Sequence, residues 1–187
     1  MIHYGPAHTD DDLHAILALQ QANLPKAISA GEAREQGFVT VEHDFPLLRE
    51  MNDLFPHAIA REGTELAGYA LAMMPSFGDR IPVLRAMCER LDRLSWAGVP
   101  LSELRYGIMG QVCVAKPYRG QGVFAGVYED LGRRMAPHFD LLVTEIATRN
   151  TRSLRAHEKI GFVEMERFSE PGVEDWVIVG WPLADRR

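Results

Sequence analysis

The chain has 187 residues, 47% of them apolar and 25% charged, with a formal net charge of -6. This is the composition of an ordinary globular domain long enough to bury a core without covalent staples, and the acidic total argues against a general affinity for nucleic acid. The two cysteines, Cys88 and Cys113, lie far apart with no CxxC partner, which argues against a disulfide framework and a zinc site and favours a reducing compartment.

Met1 to Pro6 has no basic stretch followed by an apolar run, and no apolar run approaches the ~20 residues that cross a bilayer. The expectation is a cytoplasmic protein with no membrane or nucleic-acid partner. Ile2–Tyr4 reads as a short strand. Thr9 before three aspartates starts a helix over 10–22, whose apolar face holds Leu13, Ile16 and Leu17. Pro25 ends it. Ser29 with Glu32 opens a second short helix that stops at Gly37, and Phe38–Val41 reads as an extended connection. Asp44–Leu54 is a helix, and His57–Arg61 with Glu65–Met73 form a hairpin around Gly63.

A loop is expected over 75–82, a helix over 82–95 and another loop over 96–103. Leu104–Ala115 is a nearly continuous apolar strand, suited to a sheet interior. A helix follows over Val123–Met135, a buried strand over Phe139–Ala147 and a helix over Asn150–Ile160 that Gly161 ends. Phe162–Phe168 and Val173–Trp181 close the chain as two strands joined through Pro171-Gly172. No repeat or linker interrupts the pattern, and one α/β (α+β) domain is expected over 1–187. Charge is uneven along it. Residues 105–160 carry nine Lys and Arg against five Asp and Glu, a balance of +4, while the remainder stands at -10. That distribution suits an anionic cofactor and a cationic substrate.

The stretch Arg119-Gly120-Gln121-Gly122-Val123-Phe124 joins the apolar strand to a helix. Such a loop turns backbone N–H groups and a helix N-terminus toward an anion, and Arg119 adds a charge suited to phosphate. No Gly-Lys-Ser/Thr follows, so it is not a P-loop, and no acidic ribose partner makes it a dinucleotide fingerprint. A plain strand-to-helix turn is the alternative. Further on, Glu145 stands inside the run Leu141 to Ala147, where a carboxylate needs a reason to be buried. Either desolvation raises its pKa toward that of a useful base, or it pairs with Arg149 or Arg155. Leu154, His157 and Ile160 share one face of their helix, so His157 is either a packed histidine or an acid.

Val112 to Gly122, followed by Thr144 to Asn150 and then Ser153 to Phe162, resembles the GNAT superfamily of acetyl-CoA-dependent N-acetyltransferases. The loop looks like that family's Arg/Gln-x-x-Gly-x-Gly/Ala signature, and Asn150 to Phe162 like its Asn…Tyr-Glu-Lys-x-Gly-Phe block. The resemblance implies a mixed, mostly antiparallel central sheet flanked by helices, with a parallel pair splayed apart to admit acetyl-CoA. It implies transfer of an acetyl group to a primary amine of a small molecule, peptide or protein by direct attack on the thioester. Coenzyme A would be held by the backbone of residues 119–124, with the backbone of Val112, Cys113 and Val114 against the pantetheine. Asn150 and Ser153, which otherwise read as the capped start of the helix, would contact the same arm. Arg152 and Arg155 would meet its 3′-phosphate, although a solvated helix face is the stronger reading for Arg152, and Glu145 would be the base.

Two residues depart from the pattern. Phe124 replaces a small residue, and His157 replaces the tyrosine that protonates the departing thiolate, a role histidine can also fill. A non-catalytic CoA-binding module and a transferase of longer acyl groups are the alternatives, and a homodimer is left open. No metal is expected: His3, His8, His14, His43, His57 and His138 lack ligand spacing. The regions 25–44 and 75–96 are expected to shape the acceptor pocket.

Overall fold

Capping side chains set most of the helix starts. The computed structural model describes residues 1–183, and its elements are β1 (His3–Pro6), α1 (Asp10–Gln21), α2 (Ala30–Gln36), α3 (Phe45–Leu54), β2 (Ala58–Glu62), β3 (Glu65–Met73), α4 (Arg85–Leu91), β4 (Ser95–Trp96), β5 (Val99–Pro100), β6 (Tyr106–Val114), α5 (Val123–Met135), β7 (Leu141–Ala147), α6 (Thr151–Lys159), β8 (Val163–Glu170) and β9 (Glu174–Pro182). The Thr9 hydroxyl accepts the Asp12 N–H at 3.1 Å while the Asp12 carboxylate accepts the Thr9 N–H at 2.9 Å, a reciprocal cap for α1. Ser29, Asp44 and Asn150 cap α2, α3 and α6 from one side only, each side chain accepting one backbone N–H. α5 has no capping side chain.

Seven strands form one sheet in the order β1-β2-β3-β6-β7-β9-β8, antiparallel throughout except for β6 and β7. The expected mixed sheet with a parallel pair is therefore present. That pair holds for only three residues of register, Tyr106 to Ile108 against Leu141 to Val143. Beyond it β6 stays on β3 and β7 stays on β9, so the two centre strands part. The β3–β6 register slips by one residue between Leu71 and Ala72, leaving Gly110 as the extra residue of β6. A bulge bends its strand and sharpens the local twist, and this one sits where the strands diverge. At the fork Thr144 Oγ1 donates to Met109 O at 2.9 Å, a side-chain stitch where the backbone ladder ends.

The two faces of the sheet are packed with different side chains. Ala58, Ala60, Ala70 and Ala72 lie under α5, which buries Val123, Val127, Leu131 and Met135 there. Ile59, Tyr69, Leu71 and Met73, the alternate positions of the same strands, meet α1, α3 and α4 on the other face. Small residues on one side let α5 ride close to the sheet. Burial holds His57 and His43 neutral, pushing their pKa down to about 3 and about 4. Both are buried in the core.

Differences from the sequence expectation cluster between residues 75 and 103. Pro75–Arg80 winds as a 3₁₀ helix, and α4 is shorter than the 82–95 expected, with a separate 3₁₀ turn over Pro82–Leu84 before it. The Leu101 N–H donates to Leu94 O at 2.9 Å. Ala97 and Gly98 both take positive φ, 50° and 83°. Together they fold 95–100 back as the small β4–β5 hairpin where a plain loop was expected. Among the described residues no helix is long and apolar enough to cross a membrane, and no group of His, Cys, Asp or Glu is placed to hold a metal ion.

Gly68 fixes how closely α5 can approach. A Cβ there would lie 2.9 Å from both Cys113 O and Val123 Cγ1, one of them backbone and the other the first residue of α5. Gly68→Ala is expected to destabilise the fold by about 1–3 kcal/mol, the usual cost of overpacking, measured as a lowered urea midpoint at unchanged m-value.

Candidate active site

The gap between β6 and β7 opens into a cleft of about 580 Å³ on the side of α5 and α6. Its lining includes Val112, Cys113, Val114, Arg119, Gly120, Gly122, Val123, Phe124, Asn150 and Ser153, the positions expected at a cofactor site with one exception. Gln121 is that exception: its amide folds back to donate to Pro117 O at 2.7 Å, so its side chain is not part of the lining. Gly120 and Gly122 take φ of 79° and 81°, the left-handed region that side chains resist, and a Cβ on either would project into open space. Gly122 is also the N-cap of α5. The first N–H groups of an α-helix have no partner within it. With no capping side chain, those of α5 face the mouth of the cleft beside two glycines.

Arg119 does something other than reach outward. Its Nε donates to Val114 O (3.2 Å) and its Nη2 to Asn23 Oδ1 (2.7 Å), and Glu32 of α2 stands 3.7 Å from Nη1. It ties the end of β6 to the turn after α1 and to α2, which holds the glycine loop in place from behind. Residues 36–39 cross the opposite rim. Asn150 caps α6 through Oδ1, which accepts the Ser153 N–H (3.3 Å), while its Nδ2 donates to Phe38 O (3.1 Å). Gly37 must be glycine here, since it has φ 77° and its Cβ would stand 2.9 Å from Asn150 Oδ1. Arg149 lies 4.2 Å over the Phe38 ring. The extended connection expected over 38–41 is thus one wall of the cleft. Arg152 lines the cleft near the Glu35 carbonyl, whereas Arg155 turns back to Thr151 and is not in the lining.

A smaller recess of about 60 Å³ shares Phe38, Val39, Val112, Asn150 and Ser153 with the cleft, and holds Glu145 and His157. Glu145 has both carboxylate oxygens buried, with no hydrogen-bond partner among the described residues. Neither arginine weighed as its structural partner serves: Arg149 pairs with Glu174 and Arg155 with Thr151. Burial first, and the nearby Glu170 charge second, push the Glu145 pKa up to about 8. His157 is the opposite case. Its Nδ1 lies 2.8 Å from Ser153 O, which can only accept, so that nitrogen carries the proton; its Nε2 then accepts the Tyr128 O–H at 2.7 Å. Burial lowers its pKa to about 4, and Phe124, Tyr128 and Phe162 ring it edge-on. In this arrangement His157 has no N–H free for a ligand. Phe124, the other departure from the family pattern, is what packs against it.

Sequence reasoning missed three residues here. Gln111 lines the recess, accepting the Tyr69 hydroxyl and donating to Val41 O at 2.7 Å. It interrupts an apolar run as Glu145 does, and the same argument would have found it. Trp176 sits beside Ala147 in register and also lines the recess. Tyr128 was one helical turn from Phe124, but its partner His157 is 29 residues away and no local pattern links them.

No family model matches the sequence, and no curated protein does. Solved structures do match in fold. The chain is similar to the ribosomal-protein-S18-alanine N-acetyltransferase from Escherichia coli (TM-score 0.62, 16% identity, covering 98% of this chain and 94% of that one). It is also similar to a chain of the NatC complex bound to Gag peptide and CoA (0.64, 18%, 97% and 98%), and to a GNAT-family acetyltransferase from Bacillus cereus ATCC 10987 (0.59, 10%, 97% and 97%).

The unpartnered carboxylate has a thermodynamic signature. Its folded pKa of about 8 lies above the ordinary 4.5, so ionising it in the folded state costs stability as pH rises from 4.5 through 8, and none below 4.5. Glu145→Gln is expected to leave stability nearly unchanged at pH 4.5 and to raise it at pH 9, measured by urea unfolding at both values. Equal differences at the two pH values would mean that the carboxylate is solvated.

The fold around this cleft is that of the GNAT acetyltransferases.

Proposed function

We propose that the protein is an acyltransferase that binds acetyl-CoA in the cleft and transfers the acetyl group to a primary amine. One observation carries the reading: the uncapped N-terminus of α5, preceded by two left-handed glycines, opens into the gap between two diverging parallel strands. A pyrophosphate fits that place because backbone N–H groups and the helix dipole favour an anion, and because Gly120 and Gly122 leave the approach clear. The unpaired edge of β6 at Val112 to Val114 offers backbone groups to an extended pantetheine arm, as an added strand would. Bound acetyl-CoA would supply the thioester carbon that the amine attacks.

The chain's own groups then have separable tasks. Glu145, with a pKa near 8, accepts a proton from the substrate ammonium, directly or through water, and so presents a neutral amine. A backbone N–H of the open β6 edge holds the oxygen that gains charge. Cys113 lines the cleft, but burial raises its thiol pKa to about 12, which makes it a poor nucleophile; direct attack by the amine is favoured over an acyl-enzyme. His157 with its two nitrogens engaged acts as a packing anchor, and the thiolate departs without a proton from it.

Two measurements test this. Gly122→Val places a branched side chain at the helix mouth, and CoA affinity by calorimetry should fall about 10- to 100-fold, the loss of one or two charge-assisted hydrogen bonds. Unchanged affinity would remove the glycine loop from the binding site. With acetyl-CoA and an accepting amine, kcat/KM should rise with an apparent pKa near 8; Glu145→Gln should lower it ~100-fold or more and flatten that limb, while Cys113→Ala retains activity. A variant Glu145→Gln as active as the parent would take the base role away from Glu145.

A further inference from the structure

The recess and the sheet face that continues from it have chemistry that the transfer reaction alone does not require. Strands β7, β9 and β8 run side by side, and their register places Glu145 on β7, Trp176 and Ile178 on β9, and Glu166 and Phe168 on β8 in neighbouring rows. Phe168 and Trp176 pack on the sheet face that meets α1, α3 and α4, together with Val143, Ala147 and Ile178. Because alternate residues share a face, Glu145 on β7 and Glu166 and Glu170 on β8 belong to it as well. Trp176 therefore lies on the strand between Glu145 and Glu170.

The cations of this neighbourhood are engaged elsewhere. Arg90 bonds Glu166 at 3.0 Å and lies 4.1 Å over the Phe168 ring; Arg149 bonds Glu174 at 2.6 Å; Arg167 bonds Glu164 at 2.6 Å. Among the described residues Glu145 is left with both oxygens buried and unpartnered, and Glu166 and Glu170 each with Oε2 buried and unpartnered; of the latter two only Glu166 has an arginine partner, on its other oxygen. An independent feature accompanies them. Trp176 is 3% exposed, lines the same recess, and has an indole N–H with no acceptor among the described residues. Buried donors and carboxylates without partners are uncommon in folded proteins, and each is expensive unless something binds there.

We infer that the acceptor is a dibasic amine, with the reacting ammonium at Glu145, a second cationic group at Glu170, and the connecting chain laid along Trp176. This rests on the proposed acetyl transfer for the identity of the reacting end. Two carboxylates on one face repel each other when ionised, and a ligand bearing two positive charges relieves both at once. A monoamine relieves one. The Trp176 N–H further suits a spacer that carries a carbonyl oxygen, so a short basic peptide and a plain alkyl diamine are two sources of the same chemistry. Glu170 is thus a specificity residue, remote from the reacting atoms.

Binding separates this inference from the transfer reaction. The full chain, loaded with CoA, is titrated by calorimetry with 1,4-diaminobutane against butylamine, and with lysinamide against norleucinamide. Each dibasic member is expected to bind about tenfold or more tightly than its monobasic partner, the return from one charge-assisted contact. The preference should vanish in Glu170→Gln, with the monobasic affinities unchanged. A larger preference in the lysinamide pair identifies a peptide source, and a larger one in the diamine pair an alkyl source. Equal affinities within both pairs, or a preference that survives Glu170→Gln, would overturn the inference. Dibasic binding with no acetyl transfer to any amine would leave it standing and defeat the proposed reaction.

Discussion

Everything functional in this molecule follows from a ladder that stops. β6 and β7 are the central strands of the sheet, yet they pair for three residues and then part. Unpaired backbone in the middle of a sheet is costly, because each N–H and C=O that loses its partner must find another. The fold sustains the gap by keeping the outer ladders whole: β6 remains on β3 through the Gly110 bulge, and β7 remains on β9 along its full length. Thr144 closes the fork with its hydroxyl. The result is a slot with polar edges and packed walls, and it ends at the helix whose first N–H groups are also without side-chain partners.

Three polar residues stand inside apolar surroundings near that slot, and the structure treats them differently. Gln111 is bonded by Gln20, Tyr69 and Val41. His157 is bonded on both ring nitrogens. Glu145 is bonded on neither oxygen. Burial alone therefore does not mark a reactive group. The contrast between satisfied and unsatisfied burial sets Glu145 apart from a histidine in the same recess and is what the proposed base role rests on.

Strong local chemistry made much of this readable in advance. Thr9, Ser29, Asp44 and Asn150 begin the helices they were expected to begin, since a cap acts over three residues. The apolar run before Arg119 and the glycines after it fixed a strand, a loop and a helix. What escaped was nonlocal. The inward turn of Arg119 depends on Asn23, 96 residues away, and the state of His157 depends on Tyr128. The shortening of the 82–95 helix depends on a hydrogen bond that returns from Leu101 to Leu94. Helical spacing in Val83 to Leu94 was real, but tertiary pairing overrode it. Glu170 had a legible clue in its two-residue spacing from Phe168, which puts both on one face; only the β9 partner shows that this face is the one Glu145 uses.

The uneven charge along the chain acquires a geometric meaning from the slot. The α5 N-terminus and Arg152 line the cleft with Arg119 behind the glycine loop, Glu145 lies in the adjoining recess, and Glu170 shares its sheet face. The walls between are apolar, so the field runs along the slot with little screening from water. An anionic ligand and a cationic ligand placed in such a field have one favourable arrangement, phosphates toward α5 and ammonium toward β8. The thioester and the reacting amine would then meet beside Glu145, where the fork of β6 and β7 leaves backbone donors open. Orientation of two substrates toward each other is itself a large part of a bimolecular barrier. In the proposed reaction the opposed charges would supply it before any side chain moves a proton, and a broken ladder with an open helix N-terminus on one side and an orphaned carboxylate on the other suits group transfer better than it suits simple binding.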